Sequence, residues 1–147
     1  MRIDEIMTRQ LATCTPNDTV HEAALKMKNE DCGLIPVIEH DGGGSPIGVL
    51  TDRDITCRVV AGGHSPHEVT VGEVMSRSVV TVHYQARFNS AMRLMERHRL
   101  RRLVVTGDSG DLMGVLSLTD LARYIGRDKL GQVLQEVSSR RPPRSQE

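Results

Sequence analysis

Apolar residues recur with the 3.6-residue period of a helix in two segments of the chain. The stripe of the first segment consists of Val20, Ala23, Ala24 and Met27. Thr19 and Glu22 have the three-residue spacing of a capping box, so we predict a helix that begins at Val20 and ends near Glu30. The stripe of the second segment consists of Phe88, Ala91, Met92 and Met95, which predicts a helix over 87–98.

Short aliphatic runs around these helices predict strands, and clusters of Gly, Pro, Ser and Asp predict turns. The predicted strands cover 13–15, 33–38, 47–50, 79–82, 102–106 and 113–116. The predicted turns cover 41–46 and 107–111, and two further helices are predicted over 52–60 and 118–124. Each half of the chain therefore has the order strand, helix, strand, strand, helix, which is an α+β fold class.

The second half of the chain repeats the first. Residues 48–54 (GVLTDRD) match residues 114–120 (GVLSLTD), and upstream positions such as Met7 and Met75 match with an offset of 68 residues. A lone half of about 60 residues would be marginally stable. We therefore predict that two β-α-β-β-α repeats pack sheet to sheet about a pseudo-two-fold axis and share a core.

The predicted domain plan follows from the repeat. We expect a first repeat with its N-terminal lead-in over 1–62, a linker over 63–70, a second repeat over 71–125, a C-terminal helix over 126–139 and a disordered tail over 140–147. The apolar stripe from Leu130 to Val137 needs a surface to cover. Either a second copy of the chain or the chain itself would provide that surface.

Composition excludes several classes of partner. The 19 basic and 19 acidic residues give a net charge of zero, so no field favours nucleic acid or an anionic membrane. Aromatic platforms for bases are not expected, because the chain has only three aromatic residues. No apolar run approaches the roughly 20 residues that span a bilayer, and Asp4 and Glu5 do not fit a signal peptide. We therefore expect a cytoplasmic location, which three cysteines without a C-x-x-C pair also fit.

The residue patterns give little support for catalysis or metal binding. His64 and His67 form an H-x-x-H pair, but two ligands without a third do not predict zinc. Cys14 and Cys32 either sense oxidants or are buried, unreactive thiols. We find no recognisable nucleophile–base pair and no paired carboxylates. The chain is therefore expected to be neither an enzyme nor a metalloprotein.

The repeated motif has two readings from its spacing. Thr51 and Ser117 could cap the helices that follow them, or they could contact an anion. Asp54 and Asp120 could be ordinary acids of a first helical turn, or they could accept hydrogen bonds from a ribose diol. Spacing alone leaves both readings open.

The ordered set of features resembles a tandem pair of CBS domains, also called a Bateman module. The resemblance rests on 6–8 (IMT), 74–76 (VMS), 15–16 (TP), 33–37 (GLIPV) and the two copies of the 48–54 motif. It implies a regulatory sensor of adenosine ligands such as AMP, ADP or ATP, without another cofactor. It also implies a homodimer and an effector protein as partner. The alternative is a dimeric interaction scaffold with vestigial nucleotide sites.

The resemblance also implies roles for individual residues of the second motif. The motif carboxylate Asp120 would hold the ribose with Ser117 nearby, Arg101 and Arg102 would bind phosphate, and Val115 would line the base. The residues that would close this site from the first half are Thr15, Val20 and Ile47.

The first motif departs from this pattern. Its counterparts are Thr51, Asp54 and Val49, with His83 and Phe88 as the expected wall from the other half. The positions that match Arg101 and Arg102 are occupied by Gly33 and Leu34. We therefore predict that the second motif forms the stronger site for a phosphorylated ligand.

Overall fold

The computed structural model describes residues 1–9, 12–41 and 43–139. After a 3₁₀ turn at Ile3–Glu5, the elements are α1 Val20–Glu30, β1 Leu34–His40, β2 Gly43–Thr51, α2 Asp52–Asp54 with a π-helical continuation Ile55–Val60, α3 Val71–Val74, β3 Thr81–His83, α4 Phe88–His98, β4 Arg102–Thr106, β5 Leu112–Ser117, α5 Leu118–Ala122 and α6 Arg127–Val137. The fold is α+β, as predicted. The predicted tail 140–147 lies outside the described residues.

Each repeat contributes one sheet. In the first, β1 pairs antiparallel with β2; in the second, β4 lies between parallel β3 and antiparallel β5. The strand predicted at 13–15 is reduced to one parallel bridge between Cys14 and Val37, at the position where β3 and β4 pair Val82 with Val105. Strands β2 and β5 contact each other, so the two repeats meet sheet to sheet.

The glycine-rich segment 41–46 is not wholly the turn that its composition predicts. Strand β2 begins at Gly43, which pairs with His40, and the ladder continues through two register shifts. Gly44 has a φ of 109°, a conformation that glycine adopts without strain. A glycine-rich composition indicates that a segment can adopt unusual dihedral angles. It does not show whether a neighbouring strand forms hydrogen bonds with that segment.

The capping box that the sequence predicts for α1 is present. The backbone N–H of Glu22 donates to Thr19 Oγ1 at 3.1 Å, and the backbone N–H of Thr19 donates to Glu22 Oε2 at 3.1 Å. The helix begins at Val20 and ends at Glu30, as predicted. The prediction succeeded because the helix start is fixed by local hydrogen bonds.

Two hydrophobic clusters replace the single shared core that we expected. Ile3 and Ile6, in the lead-in of the first repeat, are buried in the cluster of the second repeat. Val71 and Met75, in the lead-in at the start of the second repeat, are buried in the cluster of the first. Each core is therefore completed by the lead-in segment of the other repeat.

The crossed lead-in segments are tied to the motif strands by backbone hydrogen bonds. Thr8 and Val115 exchange two bonds of 2.9 and 2.8 Å, and Ser76 and Val49 exchange two bonds of 2.9 Å. The two bridges are equivalent under the offsets of 68 and 66 residues that relate the repeats. They demonstrate the pseudo-two-fold relation between the halves.

Helix α6 folds back on its own chain. Val133 and Val137 are buried in the second-repeat cluster, and α6 packs against α4. Leu134 remains 40% exposed. Most of the apolar stripe is thus covered within the chain and not by a second copy.

The crossing depends on two glycines. A Cβ at Gly114 would lie 2.6 Å from the carbonyl oxygen of Thr8, whereas one at Gly48 would lie 3.0 Å from the equivalent carbonyl of Ser76 and 2.7 Å from the flexible Sδ of Met75. We expect Gly114→Ala to lower the free energy of unfolding by about 1–3 kcal/mol and Gly48→Ala to lower it less. Urea unfolding followed by circular dichroism measures both.

The matched control is Gly131→Ala in α6, where a Cβ would meet nothing within 4 Å. That variant should be unchanged or stabilised by up to about 1 kcal/mol. Equal free energies of unfolding for Gly114→Ala and Gly131→Ala would contradict the close approach of Gly114 to the backbone of Thr8.

Candidate ligand-binding cleft

The second motif joins the end of β5 to the start of α5. The backbone N–H of Asp120 donates to Ser117 Oγ at 3.0 Å, and the backbone N–H of Ser117 donates to Asp120 Oδ2 at 2.9 Å. Among the described residues, the other carboxylate oxygen, Asp120 Oδ1, has no recorded hydrogen bond or ion pair. The capping role therefore engages one oxygen of Asp120 and leaves the second available.

A cleft of about 310 Å³ lies beside this motif and draws residues from both repeats. Its lining consists of Thr8, Ala12, Glu30, Asp31, Cys32, Gly33, Leu34, Arg102, Val115, Ser117, Thr119 and Asp120. The crossing brings Thr8 here, because Thr8 pairs with Val115. Ala12 follows Thr8 in the segment before α1, and the other first-repeat residues come from the end of α1, its connection to β1 and the first residue of β1.

Glycine at position 33 makes room for an arginine from the other repeat. A Cβ on Gly33 would lie 3.2 Å from Arg102 Nη2 and 2.9 Å from Asp52 Oδ2. The position that lacks an arginine in the first repeat thus faces the arginine of the second. Arg102 therefore lies between the motif of its own repeat and the α1–β1 connection of the other.

Four of the residues predicted for the second site lie together in this cleft. They are Ser117, Asp120, Arg102 and Val115. The cleft thus brings together a carboxylate with an oxygen outside the capping bond, an exposed arginine and an apolar strand residue.

The other four predicted residues lie outside the described lining. Arg101 Nη2 donates to Ser138 Oγ at 3.4 Å, near the end of α6. Val20 is fully buried, Ile47 packs against the first-repeat core, and the N–H of Thr15 donates to Asp18 Oδ2 in the turn before α1. The first half lines the cleft with Thr8, Ala12 and residues 30–34, and not with Thr15, Val20 or Ile47.

The first motif has the same caps but a different carboxylate environment. The backbone N–H of Asp54 donates to Thr51 Oγ1 at 3.1 Å, and that of Thr51 donates to Asp54 Oδ2 at 3.0 Å. Asp54 Oδ1 lies 3.7 Å from Arg58 Nη2, while Arg58 Nη1 donates to the carbonyl of Val74 at 2.7 Å. Asp54 is only 6% exposed, and both of its oxygens are engaged.

The second repeat has no counterpart of this arginine. The offset of 66 residues places Tyr124, which is 48% exposed, at the position of Arg58. The expected wall residues of the first site are also engaged elsewhere: His83 Nε2 lies 2.8 Å from Asp108 Oδ1, and Phe88 packs against the second-repeat core. Val49 is bridged to Ser76, as Val115 is to Thr8.

Two CBS-domain matches cover residues 3–60 and 71–127, and thus most of the chain. The chain belongs to the CBS-domain family. It is 38% identical over 137 residues to the CBS domain-containing protein YhcV of Bacillus subtilis, a match that covers 92% of this chain and 94% of that protein.

Solved structures of CBS-domain proteins share the fold. The CBS domain protein TA0289 of Thermoplasma acidophilum superposes with a TM-score of 0.82 at 26% identity, covering 95% of this chain and 78% of that one. The CBS domain protein PAE2072 of Pyrobaculum aerophilum, solved in complex with AMP, superposes with a TM-score of 0.76 at 28% identity. That match covers 90% of this chain and 98% of the other.

Sequence reasoning missed several residues of the cleft in this CBS pair. They are Thr8, Ala12, Glu30, Asp31, Cys32 and Thr119. The repeat identifies Thr8 and Ser76 as equivalent but carries no signal that each crosses to the other repeat. Thr119, in contrast, could have been found from its position inside the motif.

Cys14 and His67, which were considered above as an oxidant sensor and a metal ligand, each contact other residues of the fold. Burial, and secondarily the charge of Asp18, raises the pKa of the Cys14 thiol to about 12, so Cys14 is unreactive at neutral pH. The ring of His67 packs on that of His21 with centroids 4.1 Å apart. Within the described ranges, no cluster of three or more His, Cys, Asp or Glu side chains could hold a metal ion. The same ranges contain no helix with the length and apolar character needed to cross a membrane.

The different surroundings of the two motif carboxylates predict different effects on stability. Asp54→Asn should lower the free energy of unfolding by about 1–3 kcal/mol, because it leaves the half-buried Arg58 without its anionic partner. Asp120→Asn should cost less than about 1 kcal/mol, because the amide oxygen still accepts the capping bond. Thermal and urea unfolding measure both variants.

Asp52→Asn is the control, because Asp52 is exposed and lies in the same short helix as Asp54. It removes the same charge without breaking the contact between Asp54 and Arg58. A double-mutant cycle with Arg58→Gln should show coupling with Asp54. Additive effects in that cycle, or equal losses for Asp54→Asn and Asp120→Asn, would contradict the distinction between the two motifs.

Proposed function

We propose that the chain is a regulatory module, not a catalyst, and that it binds an adenosine-containing ligand in the cleft beside Asp120. The observation that carries this proposal is the second oxygen of Asp120, which has no partner among the described residues in a cleft that also contains Arg102. The AMP complex of the Pyrobaculum protein supports this class of ligand.

Each lining group has a separate role in the proposed complex. Asp120 Oδ1 accepts hydrogen bonds from the ribose hydroxyls, and the capping bond to Ser117 holds the carboxylate in place. The planar guanidinium of Arg102 binds a phosphate through two parallel hydrogen bonds. Val115 and Ala12 supply apolar surface for the base.

The composition of the cleft provides a route from binding to regulation. The α1–β1 connection of the first repeat and the motif of the second repeat both line it. A ligand that contacts both sides stabilises one relative position of the repeats over others. An effector protein that binds only this arrangement of the two repeats would distinguish the ligand-bound module from the free one.

The first motif has a structural role in this proposal. The carboxylate of Asp54 is engaged by Thr51 and Arg58, and Arg58 also holds the carbonyl of Val74 at the end of α3. We therefore assign one ligand to each chain. The alternative, a dimeric interaction scaffold with vestigial nucleotide sites, is the outcome if the chain binds no adenosine compound.

A homodimer is the assembly that we propose for the module. Large apolar side chains remain exposed on several elements: Leu25, Val60, Tyr124 and Leu134 are each at least 40% exposed. Burying such residues against a second copy is favourable. Light scattering coupled to size exclusion should give the mass of two chains, and a monomer at all concentrations would contradict the proposal.

Calorimetric titration with AMP, ADP, ATP and S-adenosylmethionine tests ligand binding directly. We expect saturable binding of at least one compound with one ligand per chain. Asp120→Asn should weaken it by about tenfold or more, because the charged acceptor for the ribose is lost. Asp54→Asn, tested well below its melting temperature, should retain wild-type affinity.

Thermal shifts provide a second readout of the same complex. A ligand at 100 times its dissociation constant adds about 2.7 kcal/mol of apparent stability. No shift up to millimolar concentrations with any of the four compounds would refute the proposal for them. A greater loss of affinity in Asp54→Asn than in Asp120→Asn would reverse our assignment of the site.

The cysteines offer an independent test of where the ligand lies. Cys32 is half-buried in the cleft lining, whereas Cys57 is exposed outside that lining. A saturating ligand should slow alkylation of Cys32 severalfold and leave Cys57 unchanged, as peptide mass spectrometry would measure. Cys14 should stay unmodified throughout at pH 8, since its pKa is raised to about 12.

The Asp120→Asn variant is the matched control for this footprint, and it should lose the protection of Cys32. Protection of Cys57 alone, or of neither thiol at a saturating ligand concentration, would exclude the cleft beside Asp120 as the binding site.

A further inference from the structure

We infer that Glu30 and Asp31 make the cleft selective for adenosine ligands with at most one phosphate group and against ATP. This inference rests on the proposed function and adds the charge class of the ligand. The two acids lie at the end of α1, in the first repeat, and line the cleft opposite the second motif.

The charges of the lining side chains are the first argument for this selectivity. Arg102 is the only cationic side chain among the described lining residues, which include three carboxylates, those of Glu30, Asp31 and Asp120. One guanidinium can bind one phosphate group through two hydrogen bonds. The further phosphates of ATP would bring negative charge toward carboxylates without a second lining cation to offset it.

The neighbouring arginine does not change this balance. The guanidinium of Arg101 donates to Ser138 Oγ near the end of α6, and Arg101 is not part of the cleft lining. The family resemblance implies two phosphate-binding arginines, but only Arg102 lines the cleft.

The second repeat shows that the fold does not require acids at these positions. The offset of 68 residues places His98 and Arg99 at the positions of Glu30 and Asp31. Asp31 ends α1 with φ 50° and ψ 51°, and Arg99 ends α4 with φ 53° and ψ 48°. The same left-handed turn thus accepts an arginine within this molecule.

Helix electrostatics favour an arginine over an acid at this position. The partial negative charge at a helix C-terminus stabilises cations and disfavours anions by about 0.3–1 kcal/mol each at exposed sites. Glu30 and Asp31 are exposed at the C-terminal end of α1, so they oppose this preference. Their placement at a ligand cleft is explained by ligand selection better than by stability.

The test compares AMP and ATP binding by calorimetry, with EDTA present so that no divalent cation screens the phosphates. Wild-type protein should bind AMP about tenfold or more tightly than ATP at low salt. Asp31→Arg, which adopts the residue that the second repeat carries at Arg99, should reduce that ratio at least about fivefold by tightening ATP binding. Raising the salt concentration to 0.5 M should shrink the wild-type ratio.

Glu136→Arg is the matched control. It makes the same change of charge at an exposed position of α6 outside the cleft lining, and its ratio of AMP to ATP affinity should equal that of the wild type. Glu30→Gln should produce a smaller shift in the direction of Asp31→Arg.

The outcomes separate this inference from the proposed function. Equal affinity for AMP and ATP in the wild type, or an unchanged ratio in Asp31→Arg, would overturn the selectivity but leave the binding module intact. Failure of the wild type to bind adenosine, AMP and ATP alike would overturn the proposed function itself.

Discussion

The crossing of two backbone segments is the constraint on which the rest of this structure depends. Thr8 and Ser76 each pair with the motif strand of the other repeat, and Gly48 and Gly114 allow the backbones to approach. Because of this exchange, each hydrophobic cluster contains the lead-in of the other repeat. The cleft is therefore built from both halves, and neither half has a complete core or a complete cleft by itself.

On this symmetric backbone, a few side chains make the two halves chemically different. Both motif aspartates cap a helix through Oδ2, so the structural and functional readings of the motif are compatible. The difference lies at the other oxygen, which Arg58 engages in Asp54 and which has no described partner in Asp120. The helix ends differ as well, since Glu30 and Asp31 correspond to His98 and Arg99. The pseudo-symmetry places the two motif aspartates in equivalent positions. The side chains around them differ, and these differences decide which ligand each motif can bind.

The sequence predicted the features that depend on local interactions. The capping box of Thr19 and the helical stripes gave helix bounds close to those observed, and the repeat gave the α+β architecture. The crossing could not be predicted, because equivalence between Thr8 and Ser76 says nothing about which strand each one pairs with. The position of Arg101 depends on α6, which lies outside the repeat, and the engagement of Asp54 depends on one arginine a turn later. Such tertiary contacts leave no periodic signal.

A crystal structure of the chain grown with AMP tests the central claim most directly, because it locates the ligand without relying on a variant. Our account predicts one AMP per chain, with its ribose hydroxyls within hydrogen-bond distance of Asp120 Oδ1 and its phosphate on Arg102. The Asp54–Arg58 contact should remain as it is in the free protein. An AMP molecule seated against Asp54 with Arg58 displaced, or one that makes no contact with Asp120, would contradict the account.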